Sequence, residues 1–192
     1  HRPPFRSLAL LTLAMWAPFA AHAALDTSKI EQLTGMKGTF TQAENVFKVT
    51  APRNDLPISV DGWTMPPFMG LTSWAAFTEG VKSEVMLAGD LVLFEDEVNP
   101  VMSAAFDAGI SVTALHNHFF FDQPRVHFMH ICGEGTLEKL AAGVKAAFAK
   151  QKEIRTAQPQ PAKVFGSTFA PSKNAITGAT IDSALGTKGQ AN

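Results

Sequence analysis

The chain has 192 residues, of which 46% are apolar and 17% are charged. That composition can bury a hydrophobic core, so it excludes a disordered or a fibrous protein. The formal net charge of −1 excludes binding of nucleic acid or of an anionic membrane by bulk charge, and the single cysteine, Cys132, excludes an internal disulfide.

Residues 1–23 have the pattern of an export signal. Arg2 and Arg6 precede an apolar stretch that closes on Ala21-His22-Ala23, a small-x-small motif of the kind that signal peptidase accepts. The stretch is too short to cross about 30 Å of hydrocarbon, and Pro18 interrupts it. We therefore expect a cleaved signal peptide and a mature chain from Ala24 that is periplasmic or secreted and has no membrane span.

The first half of the mature chain is predicted to hold one short helix followed by strands. The helix starts at residue 27 and ends at Gly35 or Gly38. A strand over 46–50 leads into a turn-rich segment over 52–70, with one short strand at 58–60. Strands follow over 73–77 and 84–94, and Gly89-Asp90 inside the second one favours a β-bulge.

The second half is predicted to alternate helices and strands. Asn99 as N-cap and Pro100 in the first turn indicate a helix that ends at Gly109. The residues that this helix would bury are Val101, Met102, Ala105 and Phe106. Strands over 110–121 and 126–132 form a hairpin around the turn at 122–125, and a helix over 136–150 follows.

This order of elements predicts an α+β domain over residues 24–150, with helices on one face of a mainly antiparallel sheet. The nearest named arrangement is a ferredoxin-like sandwich. Residues 151–180 are rich in Pro, Gln, Ser and Thr, which is typical of a linker, with at most one strand over 164–169.

Four histidines remain after removal of the signal, and all of them lie in the predicted hairpin: His116, His118, His127 and His130. Side chains alternate along a strand, so His116 and His118 share a face, with Asp122 in phase. An even hairpin register, such as Asp122 opposite Val126, brings His130 onto that face across from His118. An odd register would bring His127 there instead.

A His-x-His pair with a third histidine from the neighbouring strand is a sound ligand set for Zn²⁺, Fe²⁺, Mn²⁺ or Cu²⁺. The sequence therefore predicts a divalent transition metal or catalytic site at His116, His118 and His130. A carboxylate would complete it as a fourth ligand or general base, and the candidates are Glu97 and Asp122, followed by Glu95. The alternative is that the histidines are structural and hydrogen-bonded across the hairpin, with help from Asn117 and Arg125.

Two further residues of the hairpin are expected to stand outside the site. His127 should point to the opposite face as a structural residue. Cys132 is in phase with His130, where it is either a soft ligand or inert packing. A cupin-type barrel is a second interpretation of His-x-His followed by Asp122, but the helix from Pro100 to Ala108 does not suit a barrel.

An aromatic and methionine-rich stretch lies over residues 63–74. Core packing under a long loop is its commoner explanation, and the wall of a pocket is the other. If the histidines are structural, this stretch would bind a small molecule or a cell-envelope ligand, and the protein would be a non-catalytic envelope module. Arg53 and Asp55 nearby fit either a local ion pair or an anion site.

Residues 30–38 and 181–189 are similar to each other. They share an isoleucine, an acid and a G-x-K-G turn, as two copies of one segment would, although two unrelated helix ends that stop at glycine would look alike too. If the repeat is real, residues 181–192 are the truncated start of a second copy, and the natural partner is a homologous half missing from this chain.

Four blocks, VFKVTAPRNDLPISVDG, MPPFMGLTSWAAF, GDLVLFEDEVNPVMSA and GISVTALHNHFFFDQPRVHFMHICG, resemble the LppY/LpqO family of bacterial exported proteins, a domain of unknown function. The resemblance covers residues 25–150 and implies no reaction, because the family has no established activity. Its members typically carry two related halves, so the resemblance implies one half plus the opening of the next.

Positions that match the family's motif are Glu95, Glu97, Asn99, Pro100, His116, Asn117, His118, Pro124, Arg125 and His130. His127 and Cys132 depart from it. The resemblance therefore leaves His116, His118 and His130 as the candidate site residues.

Overall fold

The computed structural model describes residues 25–162 and 177–190. The signal peptide predicted over 1–23 and the strand predicted over 164–169 lie outside these residues.

A six-stranded sheet forms the centre of the domain, and every neighbouring pair of its strands is antiparallel. In spatial order, its strands are β1 (Gly38–Thr41), β2 (Val46–Pro52), β5 (Thr72–Glu79), β6 (Val85–Phe94), β9 (Val126–Gly135) and β7 (Ser111–His116). A small sheet is formed by β4 (Trp63–Thr64), β3 (Ser59–Val60) and β8 (Asp122–Gln123).

Four helices accompany the sheets: α1 (Thr27–Thr34), α2 (Val98–Asp107), α3 (Leu137–Ala157) and α4 (Gly178–Leu185). The first three share one core with the central sheet, and its members include Ile30, Phe47, Phe77, Leu87, Leu91, Val101, Met129, Ile131, Leu140 and Val144. The predicted α+β fold is therefore confirmed, although the sheet is larger than the four strands of a ferredoxin-like sandwich. In the described ranges, no helix combines the length and the apolar character needed to cross a membrane.

The second face of the central sheet is only partly covered. A smaller core on that side joins the turn-rich segment after β2 to the ends of β6 and β9, and it consists of Ile58, Leu71, Val92, Phe94, Val126 and Phe128. Beyond it, one row of side chains crosses the face from Trp74 through Asp90 to His130, each residue opposite the next. These three side chains are all partly exposed, so this part of the face is open to a ligand.

Helix α2 differs from its prediction at its N-terminal end. It begins at Val98 with Glu97 at the N-cap, so the expected cap at Asn99 is wrong and Pro100 is the third residue of the helix. The Glu97 side chain makes no capping bond because buried arginines bind it. Phe106 was expected in the core, yet it is exposed, because it lies one step round the helix from the buried Ala105.

Helix α3 continues to Ala157, seven residues beyond its predicted end at Lys150. Tertiary contacts explain the extra turns, since Ile154 packs on the main core and Gln151 Nε2 donates to the carbonyl of Val92 at 2.8 Å. The start of the segment predicted as a linker is therefore helical.

The bulge predicted at Gly89-Asp90 is wrong, because β6 pairs with both neighbours in continuous register through these residues. A Cβ on Gly89 would lie 2.8 Å from the carbonyl oxygen of Trp74 and 2.9 Å from Cγ1 of Ile131. Glycine is required there by the close approach of neighbouring groups. The register shift occurs instead in β7, between Val112 and Ala114.

Helix α4 repeats the local structure of α1. Asp26 and Thr177 cap the two N-termini through side-chain oxygens, and Gly35 and Gly186 end the helices at φ angles of 74° and 65°. The similarity between residues 30–38 and 181–189 thus extends from sequence to conformation.

The two segments also share a bond beyond the helix end. The amide of Gly38 donates to Glu31 Oε1 at 3.1 Å, and the amide of Gly189 donates to Asp182 Oδ1 at 2.7 Å. Glu31 and Asp182 occupy equivalent positions in the two segments. Each carboxylate therefore holds the turn that follows its helix in the same way.

Candidate functional site

Three of the four hairpin histidines gather on the sheet face opposite the helices. Strand β7 supplies His116, β9 supplies His130, and His118 follows two residues after the end of β7. His116 is opposite Phe128 and His130 is opposite Ala114, so the two histidines are diagonal neighbours on one face.

The register between β7 and β9 at the histidines is even, as predicted. The predicted pairing of Asp122 with Val126, and of His118 with His130, is wrong. His130 does not lie across from His118, because β7 ends at His116 and the chain then leaves the central sheet. Asp122 pairs with Val60 in the small sheet, so it does not lie opposite Val126. The predicted strand over 110–121 is therefore shorter than expected.

The histidine rings are in direct contact. The Nε2 atoms of His116 and His130 are 3.1 Å apart, and the two rings are nearly perpendicular, at 85°. The ring of His118 stacks on His116 with centroids 5.0 Å apart and on Phe128 with centroids 3.4 Å apart. Phe128 is buried, so it gives the cluster a rigid floor.

Asp90 adds a carboxylate that the sequence analysis did not propose. It lies opposite His130 in the register, and its Oδ2 is 3.7 Å from His130 Nε2. Its Oδ1 is buried and accepts no hydrogen bond within the described part of the chain. The sequence did hold one sign that Asp90 is special. It is the sole ionisable residue among the ten of strand β6, VMLAGDLVLF.

The environment of His118 favours the neutral imidazole. Burial lowers the pKa of His118, and the neighbouring His116 and His130 lower it further, whereas Asp90 acts in the opposite direction. A neutral ring keeps a nitrogen lone pair, which is the form that binds a metal ion or accepts a proton.

Two kinds of chemistry fit the close pair of nitrogens. One is a shared proton between His116 and His130, and the other is a shared metal ion. Two imidazole nitrogens on one tetrahedral zinc ion are about 3.3 Å apart, which is close to the observed 3.1 Å. Among the described residues, no group of three or more His, Cys, Asp or Glu side chains is already arranged to hold an ion.

The structure places Glu97 away from the histidines. Its side chain is fully buried and accepts from Arg53 Nη2 at 2.8 Å and from the amide of Phe94 at 2.8 Å. Arg155 Nε lies 2.8 Å from Oε1, the same oxygen that accepts from Arg53 Nη2. The carboxylate predicted as a ligand or base is thus occupied by an internal ion cluster.

Asp122 is also separate from the histidine cluster. It is buried, and its Oδ2 accepts from the amide of Val126 at 2.7 Å, which closes the turn between β8 and β9. Together with Glu95 and Arg125 it lines a small cavity of about 240 Å³. The predicted alternation from His118 to Asp122 fails because residues 117–121 are not a strand.

His127 stands on the opposite side of β9 from the cluster, as predicted. Burial lowers the pKa of His127, while the nearby carboxylates of Glu95 and Asp122 act in the opposite direction and Arg125 lowers it further. Its Nδ1 is buried without a hydrogen-bond partner among the residues described.

Two other hairpin residues have structural contacts only. Asn117 Nδ2 donates to the carbonyl of Val126 at 2.9 Å, so it holds the turn rather than a histidine. Cys132 is a half-buried free thiol opposite Ala88 and Ser111, one row away from His130.

The aromatic stretch over 63–74 was predicted to be core, but several of its large side chains are exposed. Trp63, Phe68 and Met69 are exposed, and Phe120 and Phe121 in the loop after β7 are exposed as well. The amide of Asp61 donates to the carbonyl of Phe121, so the two loops lie side by side. The stretch protrudes because Leu71 and the partly buried Met65 already fill the smaller core.

Comparison with known proteins gives one match. Neither the curated proteins nor the solved structures contain a protein that this chain matches. Residues 28–150, a range that holds Asp90 and all four hairpin histidines, match the model of a protein family described as Domain of Unknown Function (DUF1259), and the chain therefore belongs to that family.

Proposed function

We propose that the domain binds one divalent transition metal ion, Zn²⁺, Fe²⁺, Mn²⁺ or Cu²⁺, through His116, His130 and Asp90. The observation that carries the proposal is the distance of 3.1 Å between the Nε2 atoms of the two histidines. Beside this pair, Asp90 offers a partly buried carboxylate whose Oδ1 accepts no hydrogen bond in the described chain.

Two imidazoles and one carboxylate are a ligand set found around zinc and around non-haem iron. Such a set leaves at least one position on the ion for water or substrate. The face that carries Asp90 and His130 is partly exposed, which gives an ion and a small molecule access. His118 stacks against His116, so it positions that ring and is the nearest further nitrogen ligand.

Cobalt(II) titration followed by visible absorption tests the proposal, because the spectrum reports both binding and coordination number. We expect one Co²⁺ per chain in the native protein and at least tenfold weaker binding in Asp90→Asn and in His116→Gln. His127→Gln is the matched control, since it lies in the same hairpin on the opposite face and should bind as tightly as the native chain.

Circular dichroism of each variant separates a lost ligand from a lost fold. Folded native protein that binds no Co²⁺ in a saturable manner contradicts the proposal. Equal binding by the native chain, Asp90→Asn and His116→Gln contradicts it as well.

We further propose that the protein is exported and belongs to the LppY/LpqO type within its family. Support comes from the pattern of residues 1–23 and from the four blocks that resemble that family. Cell fractionation with N-terminal sequencing tests the export: we expect mature protein outside the cytoplasm that starts at Ala24. Protein that stays in the cytoplasm with residues 1–23 attached contradicts it.

A second candidate function is a non-catalytic envelope module that binds through its exposed aromatic side chains. The observation that favours it is the joint exposure of Trp63, Phe68, Phe120 and Phe121 on two adjacent loops. In this case, cosedimentation with purified cell-wall sacculi should be lost in Trp63→Ser and Phe68→Ser. It should be kept in Phe106→Ser, which removes an exposed aromatic from α2.

A further inference from the structure

A sizeable cavity of the described chain lies away from the histidines. Its volume is about 740 Å³, and it is formed by the end of α1, the segment that follows β2 and the outer side of α3. Cavities of about 300–1,000 Å³ are typical of small-molecule sites. None of the candidate metal ligands lines it.

Positive charge predominates around this cavity. Four basic side chains line it, Arg53, Lys145, Lys152 and Arg155, against the one carboxylate of Asp55. That carboxylate is already paired, because Arg53 Nη2 donates to its Oδ2 at 2.7 Å. It therefore opposes an incoming anion only weakly.

Lys145 and Lys152 are free to bind a ligand. They are seven residues apart in α3, which places them on the same side of the helix two turns apart. Neither side-chain ammonium group makes a hydrogen bond or an ion pair with any residue in the described ranges. Lys150 on the same helix differs, since it pairs with Glu153 and does not line the cavity.

Arg155 supplies a buried donor at the same place. Its side chain is 8% exposed, and its Nη2 and Nε face Asp96 and Glu97. Its Nη1 donates to no acceptor among the described residues. Arg155 therefore keeps a donor that its two carboxylate partners do not use.

The rest of the lining is largely apolar, with Met36, Pro52, Phe148 and Ala149 among its members. We propose that this cavity binds a small organic anion, a carboxylate or phosphate group on an apolar body. The anionic group lies between Lys145, Lys152 and Arg155, and the apolar body packs on Phe148 and Ala149. Lysine and arginine bind both kinds of anion, and the arginine fork can donate to two oxygens.

Isothermal titration calorimetry with phenyl phosphate and with benzoate tests the proposal on the full chain. We expect saturable binding of one molecule per chain for at least one of the two, and none for the neutral benzyl alcohol. Binding should weaken with rising salt concentration. Preference for phenyl phosphate assigns the site to phosphates, and preference for benzoate assigns it to carboxylates.

Two pairs of variants locate the binding. The double variant Lys145→Gln/Lys152→Gln should bind at least tenfold more weakly, whereas Lys150→Gln should bind within twofold of the native chain. Ala149→Trp fills the cavity without a change of charge and should abolish binding, whereas the exposed Ala142→Trp on the same helix should not.

Absence of saturable binding of both anions to the native chain overturns the proposal. Equal affinity of the native chain and the double lysine variant overturns it too, because binding would then lie elsewhere. Both outcomes are independent of metal binding, since Co²⁺ titration of the same samples reports on the histidine site separately.

Discussion

Glu97 connects three parts of the molecule through one buried carboxylate. It bonds Arg53 from the end of β2, lies against Arg155 from α3 and accepts the amide of Phe94 at the end of β6. Burial alone would lower the pKa of Arg53, but its hydrogen bonds to Glu97 and Asp55 outweigh this and raise the pKa above its ordinary value. Arg53 therefore stays charged, and removal of its buried partner leaves that charge unpaired.

We predict that Glu97→Gln lowers the free energy of unfolding by about 3–5 kcal/mol, because it leaves the two arginines without their shared partner. Asp55→Asn is the control, since Asp55 is partly exposed and its loss should cost less than about 1 kcal/mol. Urea denaturation measures both. A smaller loss for Glu97→Gln than for Asp55→Asn would show that the cluster does not hold these elements together.

His127 gives a prediction for the pH dependence of stability. Burial lowers the pKa of its ring in the folded state, so the unfolded chain takes up the proton more readily. The contribution of His127 is therefore constant above its ordinary pKa of about 6.5 and becomes destabilising as the pH falls below that value.

Urea denaturation between pH 8 and pH 5 tests this sign. We expect the free energy of unfolding to fall below pH 6.5 in the native chain and to fall less in His127→Gln, which has no titrating ring. The same decline in both proteins would mean that His127 keeps its ordinary pKa in the folded state.

At the level of elements, α1 and α4 share a sequence pattern and a conformation but differ in packing. Ile30 of α1 is completely buried in the main core, whereas Ile181 at the matching position of α4 is 46% exposed. Local sequence therefore sets the two helices and their glycine ends, and only α1 gains tertiary contacts in the described structure.

We predict that Ile30→Ala lowers the free energy of unfolding by about 2–5 kcal/mol, the usual cost of a cavity in a core. Ile181→Ala should change it by less than about 0.5 kcal/mol, as expected for an exposed site. Thermal or urea denaturation of the pair measures the difference. Equal losses would show that α4 packs on the domain as α1 does.

The elements that sequence predicts best are those with local signals. Gly35 ends α1 as expected, and the strands predicted over 84–94 and 126–132 correspond to β6 and β9. Errors arise where distant contacts decide the outcome. Arg53 binds Glu97 from 44 residues away and prevents its use as a cap, and Val92 stabilises the extra turns of α3 from 59 residues away.

For the whole molecule, the two faces of the sheet have different roles. Helices α1, α2 and α3 close one face, while residues 25–162 and 177–190 cover the other only near Phe128 and Val92. The histidine cluster lies at the border, with a buried aromatic floor on one side and an open row of side chains on the other. A rigid base beside an accessible surface suits a metal ion that also meets a ligand.

The pairing of His116 with His130 follows from sequence, because alternation and an even register place both on one face, whereas His118 reaches them from the loop after β7. The place of Asp90 in the site could not be predicted from the sequence. It depends on the pairing of β6 with β9, which brings Asp90 opposite His130, forty residues further along the chain. Glu97 leaves the site because Arg53 and Arg155 bind it, and Asp122 leaves it because β8 pairs with β3 in the small sheet. A local sequence pattern carries no information about which strands pair when they are distant in the chain.

Elemental analysis of the purified protein, without added metal, tests the metal site most directly. We predict about one divalent transition metal ion per chain in the native protein and in His127→Gln, and almost none in the double variant His116→Gln/His130→Gln. Native protein that is folded but carries no stoichiometric metal and gains none on titration would contradict the site, as would an unchanged metal content in the double variant.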